Sequence, residues 1–196
     1  MSDDEVRSFV TSRIDWVRRK RAMFAAHERD APRQLVSGET HYLAGRPFRL
    51  EVIERDGPAA VLLRDDQTIQ LTVRRGSDAA TRAAVLERWH RVLLGAEIAR
   101  LVAAWEPVID VQVSGWTQRR MKTRWGTCSI GPRRICLNTE LVKKSRACLE
   151  YVVVHEMVHL LRRRHDDRFK AHMDRFMPDW RLRRASLNDR MTGRTV

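Results

Sequence analysis

The sequence predicts an α+β fold: an antiparallel or mixed sheet, a helix that carries the reactive groups and an N-terminal helical arm. Three observations carry this. Short β-patterned runs separated by turn residues fill Pro47 to Val73, and an Ala/Leu/Arg-rich stretch of helical period follows. Further on, a capped apolar run bears His155-Glu156-Met157-Val158-His159 and then, after five residues, His165. At 196 residues the chain suits one compact domain with an arm. The pattern divides it into a charged arm over residues 1–36 and a domain over residues 37–190.

In chain order, Ser2 with Glu5 forms a capping box, and the run to Arg29 reads as a charged helix with a thin apolar stripe of Val6, Phe9, Val10, Ile14, Val17 and Phe24. Pro47 to Glu54, Ala59 to Arg64 and Thr68 to Val73 are three β runs parted by Asp56-Gly57 and Asp65-Asp66-Gln67, a pattern that predicts an antiparallel meander. From Asp78 to Trp105 the spacing is helical, with a kink expected at Gly95 and an end at Pro107. Val111 to Trp116, Arg119 to Lys122 and Ile135 to Asn138 read as strands. Ser145 then caps the helix that bears His155, with Ala147, Leu149, Val152, Val153, Val158 and Leu160 expected on its packed side. Two shorter helices follow, broken at Pro178.

The histidine motif carries the chemistry. Two imidazoles four apart on a helix share a face, so both can reach one ion, and Glu156 sits close enough to take a proton from water at that ion without binding it. A third imidazole, His165, completes three protein ligands and leaves a position open, which separates a catalytic zinc site from a closed structural one. With only 7 histidines in the chain, this spacing is not chance. In a continuous helix His165 would lie about 15 Å along the axis from His155, so the helix must stop soon after His159. Metzincins share the spacing and turn there on a glycine; here the position is Arg162, and no Gly or Pro occurs from 157 to 177. A non-glycine residue among Arg162 to Arg164 is therefore expected in a left-handed conformation. No Glu follows Glu156; Asp166, Asp167 and Asp174 remain alternatives to His165 as the third ligand.

Charge and cysteine content narrow the setting. The formal net charge is +13, and of the 38 basic residues 33 are arginine. This favours anionic partners such as nucleic acid, nucleotides or acidic protein surfaces, unless the bias is merely compositional. Cys128, Cys136 and Cys148 form neither a CxxC pair nor an even framework, which fits a reducing compartment; Cys128 and Cys136 read as buried thiols before a second metal site. With no apolar run of membrane-spanning length and no signal-peptide core, the expected location is cytoplasmic.

Four separated stretches resemble the YgjP-like metallopeptidase family, a minimal zincin related to SprT-like and WLM domains: Gly38-Glu39-Thr40-His41-Tyr42-Leu43-Ala44-Gly45, Met121 to Cys128, Tyr151 to His159, and Phe176-Met177-Pro178-Asp179-Trp180. They occur in the family's order between about Ser37 and Leu187. The resemblance implies a zincin fold, zinc held by His155, His159 and the histidine matching His165, and an Arg124-Trp125-Gly126 segment beside the metal. Lys170 departs from the family, which often has an aromatic there.

Read from the residues alone, Trp125-Gly126 is a buried aromatic beside a glycine that permits close backbone approach. The functional alternative has Lys122 or Arg124 binding an anionic group of the substrate. Tyr151, one turn before His155, either packs in the core or donates to a transition-state oxyanion. His41 and His172 read as structural or exposed, and His27 and His90 as ordinary helix residues. Three functions compete. A zinc peptidase would use Glu156 as general base on a protein or peptide substrate held along an exposed strand edge. The same metal could serve a nucleotide phosphoanhydride hydrolase acting on UTP, an activity associated with some members of the resembled family, although no Gly-rich phosphate loop is present. A basic DNA-associated module with structural zinc is the third. The residues favour the peptidase.

Overall fold

The computed structural model describes residues 34–188 and, before them, Ile14, which is helical and exposed. The Ser2–Glu5 capping box and the charged helix expected to reach Arg29 otherwise lie outside the described residues. The chain divides into two compact units, Met1–Gln34 and Leu35–Val196. Every element named below lies in the second.

Two small mixed sheets and four helices make up the described part. The first sheet contains β1 (Thr40–Leu43), β2 (Arg46–Glu54), β3 (Ala60–Leu63) and β4 (Thr68–Val73) in the order β1-β2-β4-β3. The expected meander is therefore wrong: β2 pairs parallel with β4, and β3 lies outside β4, antiparallel to it. Burial explains the order. β4 buries Ile69, Leu71, Thr72 and Val73, so both its faces are covered and it takes the interior; four-residue β3 exposes Leu62 and Leu63 and takes the edge. β1, absent from the sequence reading, joins β2 through a two-residue turn, Ala44-Gly45, in which both residues have positive φ (50° and 81°). That is the type I′ hairpin turn whose twist matches the flanking strands.

Helix α1 (Ala79–Ile109) begins at Asp78, whose carboxylate accepts from Thr81 N, and buries Leu86, His90, Leu94, Ile98, Leu101 and Val102 on one face. Pro107 does not end it. The helix runs two residues past the proline, and Asp110 closes it in the left-handed conformation, which aspartate tolerates. Gly95, where a kink was expected, is a close-approach position: a Cβ there would lie 3.0 Å from Gln118 Nε2 and 3.3 Å from the Trp116 ring.

The second sheet holds β5 (Gly115–Arg119), β6 (Gly126–Ser129) and β7 (Arg134–Asn138) in the order β5-β7-β6, with β5 parallel and β6 antiparallel to β7. The strand expected over Val111–Trp116 begins only at Gly115, because the donors before it turn elsewhere: Val111 N to Glu106 O, Val113 N to Glu106 Oε1 and Ser114 N to Arg133 O. The strand expected over Arg119–Lys122 ends at Arg119, because the Asn138 side chain takes both backbone groups of Met121. A 3₁₀ turn (Thr139–Lys143) leads to α2 (Arg146–Val158), α3 (Asp167–Phe176) and α4 (Trp180–Asn188). Leu50, Ile69, Leu71, Ile98, Ile135, Leu137, Leu141, Val153 and Met157 are fully buried and form the centre of the core. No helix among the described residues is long and apolar enough to cross a membrane.

Candidate active site

Helix α2 carries the site and is held at both ends. Ser145 Oγ accepts from Cys148 N at its start, as the sequence predicts. The β1–β2 hairpin tip docks against the same end: Ala44 N and Gly45 N donate to the carbonyls of Val142 and Lys143. A Cβ on Gly45 would lie 3.0 Å from Ser145 Cα. Burial along α2 is wider than one stripe. Ala147 is exposed and Leu160 half-buried, while Cys148, Tyr151, Val154 and Met157 join the core beside Leu149, Val152, Val153 and Val158.

The chain leaves the helix without the expected left-handed residue. Among the described residues the non-glycine positive-φ positions are Leu35, Ala44, Asp110 and Arg133, so Arg162 to Arg164 keep ordinary conformations. The helix instead tightens into short-range bonds, Leu160 N to Met157 O and Leu161 N to Val158 O, before Arg162 N reaches Val158 O. The Arg162 guanidinium then binds Asp166, which also caps α3 by accepting from Phe169 N. Successive turns thus reverse the chain with no strained residue.

This reversal brings the three imidazoles together. One ligand nitrogen from each of His155, His159 and His165 falls within 4.8 Å of the others, and His155 Nε2 lies 2.9 Å from His165 Nε2. Two of the remaining nitrogens are engaged. His159 Nδ1 donates to Arg162 O at 3.1 Å, which leaves Nε2 as the lone-pair nitrogen, and the Tyr151 hydroxyl lies 3.5 Å from His155 Nδ1. Burial holds His155 neutral, its pKa pushed down to about 3 with the other two imidazoles adding to the effect; burial lowers His159 as well. The buried Phe169 ring sits 4.8–4.9 Å from all three imidazole centroids. The aspartates weighed as alternatives are occupied: Asp166 with Arg162, Asp167 with Lys170, and Asp174 with Arg181 and Trp180.

Glu156 is buried beside this cluster. Burial raises its pKa to about 8, and the Arg124 guanidinium works against the rise. Strand β6 presses onto its carboxyl, for a Cβ on Gly126 would meet Glu156 Oε1 at 2.6 Å and Cγ at 2.7 Å. Gly126 is therefore the close-approach glycine that the Trp125-Gly126 pair suggests. Asn138, missed in the sequence, fixes the loop before β6: its Nδ2 donates to Met121 O and Arg124 O, and its Oδ1 accepts from Met121 N and Glu140 N.

A cleft of about 1410 Å³ opens over these groups. Arg124, Trp125 and Tyr151 line it; Lys122 does not, and its side chain is exposed. Tyr151 also stacks on Trp180, centroids 6.4 Å apart. Of the other histidines, His41 is buried near Glu39, His90 is buried in α1, and His172 stacks on Phe176. Arg163 and Arg184 line the cleft as well, and only the tertiary fold brings them there. Cys128 faces the cleft, its thiol pushed up to about 11 by burial. It pairs with Ile135 across β6–β7 whereas Cys136 pairs with Thr127, so the two thiols lie on opposite faces and share no site.

No curated protein matches the chain. Among solved structures it is similar to the metallopeptidase zymogen abylysin of Pyrococcus abyssi, with a TM-score of 0.41 and 18% identity over 48% of this chain and 90% of that one. It is also similar to the metallopeptidase zymogen jannalysin of Methanocaldococcus jannaschii, with a TM-score of 0.37 and 16% identity over 45% and 93% of the two chains. Residues 1–190 match the family described as YgjP-like, metallopeptidase domain, and the chain belongs to that family.

Proposed function

We propose that this metallopeptidase uses zinc held by His155, His159 and His165, with Glu156 as the general base. The observation that carries the reading is the meeting of three imidazole nitrogens beside one buried carboxylate. The donor set fits the metal: three imidazoles, two of them oriented by partners on their far nitrogens, with no thiolate in the cluster, suit zinc and leave a coordination position open. When bound, zinc supplies Lewis acidity, polarising a carbonyl and bringing the pKa of water towards neutrality. Glu156 takes the proton of the attacking water and passes it to the leaving amine; a carboxylate made more basic by burial suits both halves of that task. Tyr151 and the Arg162 carbonyl orient the imidazoles. Strand β6 is the edge of its sheet, no described strand pairs with its outer side, and all four of its residues line the cleft. Its open backbone groups suit an extended peptide.

The test is metal analysis joined to hydrolysis. Purified protein is expected to hold about one zinc, lost in His155→Ala and His159→Ala. Full retention in His165→Ala would move the third ligand elsewhere. Metal-loaded protein is expected to cleave casein and leave UTP intact; the reverse result would replace the peptidase mechanism with phosphoanhydride hydrolysis.

A further inference from the structure

We infer that the cleft selects peptides carrying acidic residues close to the bond that is cut. The inference rests on the peptidase reading. Arg124, Arg163 and Arg184 line the cleft, and among the described residues none has a carboxylate partner. The fourth cation there, Lys170, is paired with Asp167. Among the described residues the cleft wall holds one carboxylate, Glu156, which is buried and forms no ion pair with these arginines.

General basicity does not explain this pattern, because adjacent arginines behave differently according to where they point. Arg162 pairs with Asp166 and is not among the residues that line the cleft; Arg163, the next residue, lines it unpaired. Arg183 pairs with Glu150 and Asp179 outside the cleft; Arg184 lines it unpaired. The arginines left for a ligand are the ones turned towards the substrate. They also surround the chemistry. Arg124 comes from the loop before β6 and acts on Glu156, whereas Arg184 comes from α4 and acts on Tyr151 and His155. Arg163 follows the turn out of α2. A peptide lying along β6 would therefore meet guanidinia drawn from three separate elements around the reacting centre. Guanidinium forks match carboxylates in geometry as well as sign, and like charges on a basic peptide would be repelled.

The test uses the full-length, metal-loaded protein with quenched fluorescent peptides of one neutral core flanked on both sides by Glu, Gln or Lys. At low salt the Glu set is expected to be cleaved with kcat/KM about tenfold above the Gln set, with the Lys set lowest, as a few exposed pairs would give. The advantage should shrink as salt screens the charges. Arg163→Gln combined with Arg184→Gln, both exposed positions, should raise KM for the Glu set more than it changes kcat. Binding of the same peptides to Glu156→Gln protein, read by fluorescence anisotropy, should follow the same order. Equal cleavage of the Glu and Gln sets at low salt overturns the inference and leaves the peptidase reading standing; cleavage of none removes both. Stronger inhibition of Glu-set cleavage by duplex DNA than by poly-glutamate at equal charge would assign the arginines to nucleic acid instead, and would also overturn it.

Discussion

Glu156 and Gly126 form one unit, since the carboxyl can occupy its buried place only because residue 126 has no side chain. Glu156→Gln keeps the size and most of the hydrogen bonding but cannot accept a proton, so hydrolysis should fall by about two orders of magnitude or more while zinc content stays unchanged. Turnover at the parent rate would disprove the assigned role. Gly126→Ala tests the packing. Its Cβ would fall within 3 Å of three Glu156 atoms, so either the carboxyl or β6 must move. A displacement of that size should lower kcat by about tenfold to a hundredfold with metal still bound. Parent-like kcat would mean that the strand yields freely and sets no geometry. The grouping of His155, Glu156 and His159, here proposed as ligand pair and base, was legible in the sequence because helical spacing alone puts His155 and His159 together. Arg163, Arg184 and the Phe169 ring were not, since their positions depend on how α3 and α4 fold back over α2. For Phe169 a signal existed, because Asp166 caps the helix whose third residue it is.

At the scale of elements, helix starts were well expressed in local pattern, and strand pairing was not. Ser145 caps the helix the sequence assigns to it, and the helix expected from Asp78 starts there, with Asp78 as its cap. The parallel β2–β4 pair was missed because pairing is decided by which strand can bury both faces, a property of the whole sheet. The end of α2 was misjudged for another reason: the spacing demanded a reversal, and a glycine-like conformation is only one way to achieve it. The β1–β2 hairpin has a consequence beyond its own sheet, for its tip supports the start of the helix that bears the histidines. Gly45→Ala would put a Cβ at φ 81° against Ser145 and should destabilise the fold by about 1–2 kcal/mol. Denaturant unfolding measures this. An unchanged midpoint would show that the tip is not pressed against α2.

For the molecule as a whole, stability should depend on pH through a residue far from the reaction. His90 is buried in α1 with Nε2 unpartnered, and its pKa is pushed down to about 4, first by burial and then by the Lys143 charge and by His41, with Glu140 and Glu87 acting in the opposite direction. In the unfolded chain the same imidazole titrates near 6.5, so the unfolded state takes up the proton first as pH falls. Its contribution is therefore intact above about pH 6.5, declines as pH drops from there, and levels off below about pH 4. Between pH 7 and pH 5 this amounts to a loss of about 2 kcal/mol. Replacing His90 with Leu changes the absolute stability through packing, so the informative quantity is the slope. The difference in unfolding free energy between pH 7 and pH 5 should be smaller in His90→Leu than in the parent. The other ionisable groups are common to both proteins, so their contribution cancels in the comparison. Equal slopes would mean that His90 finds a proton-accepting partner or water in the folded protein and is not held neutral by burial.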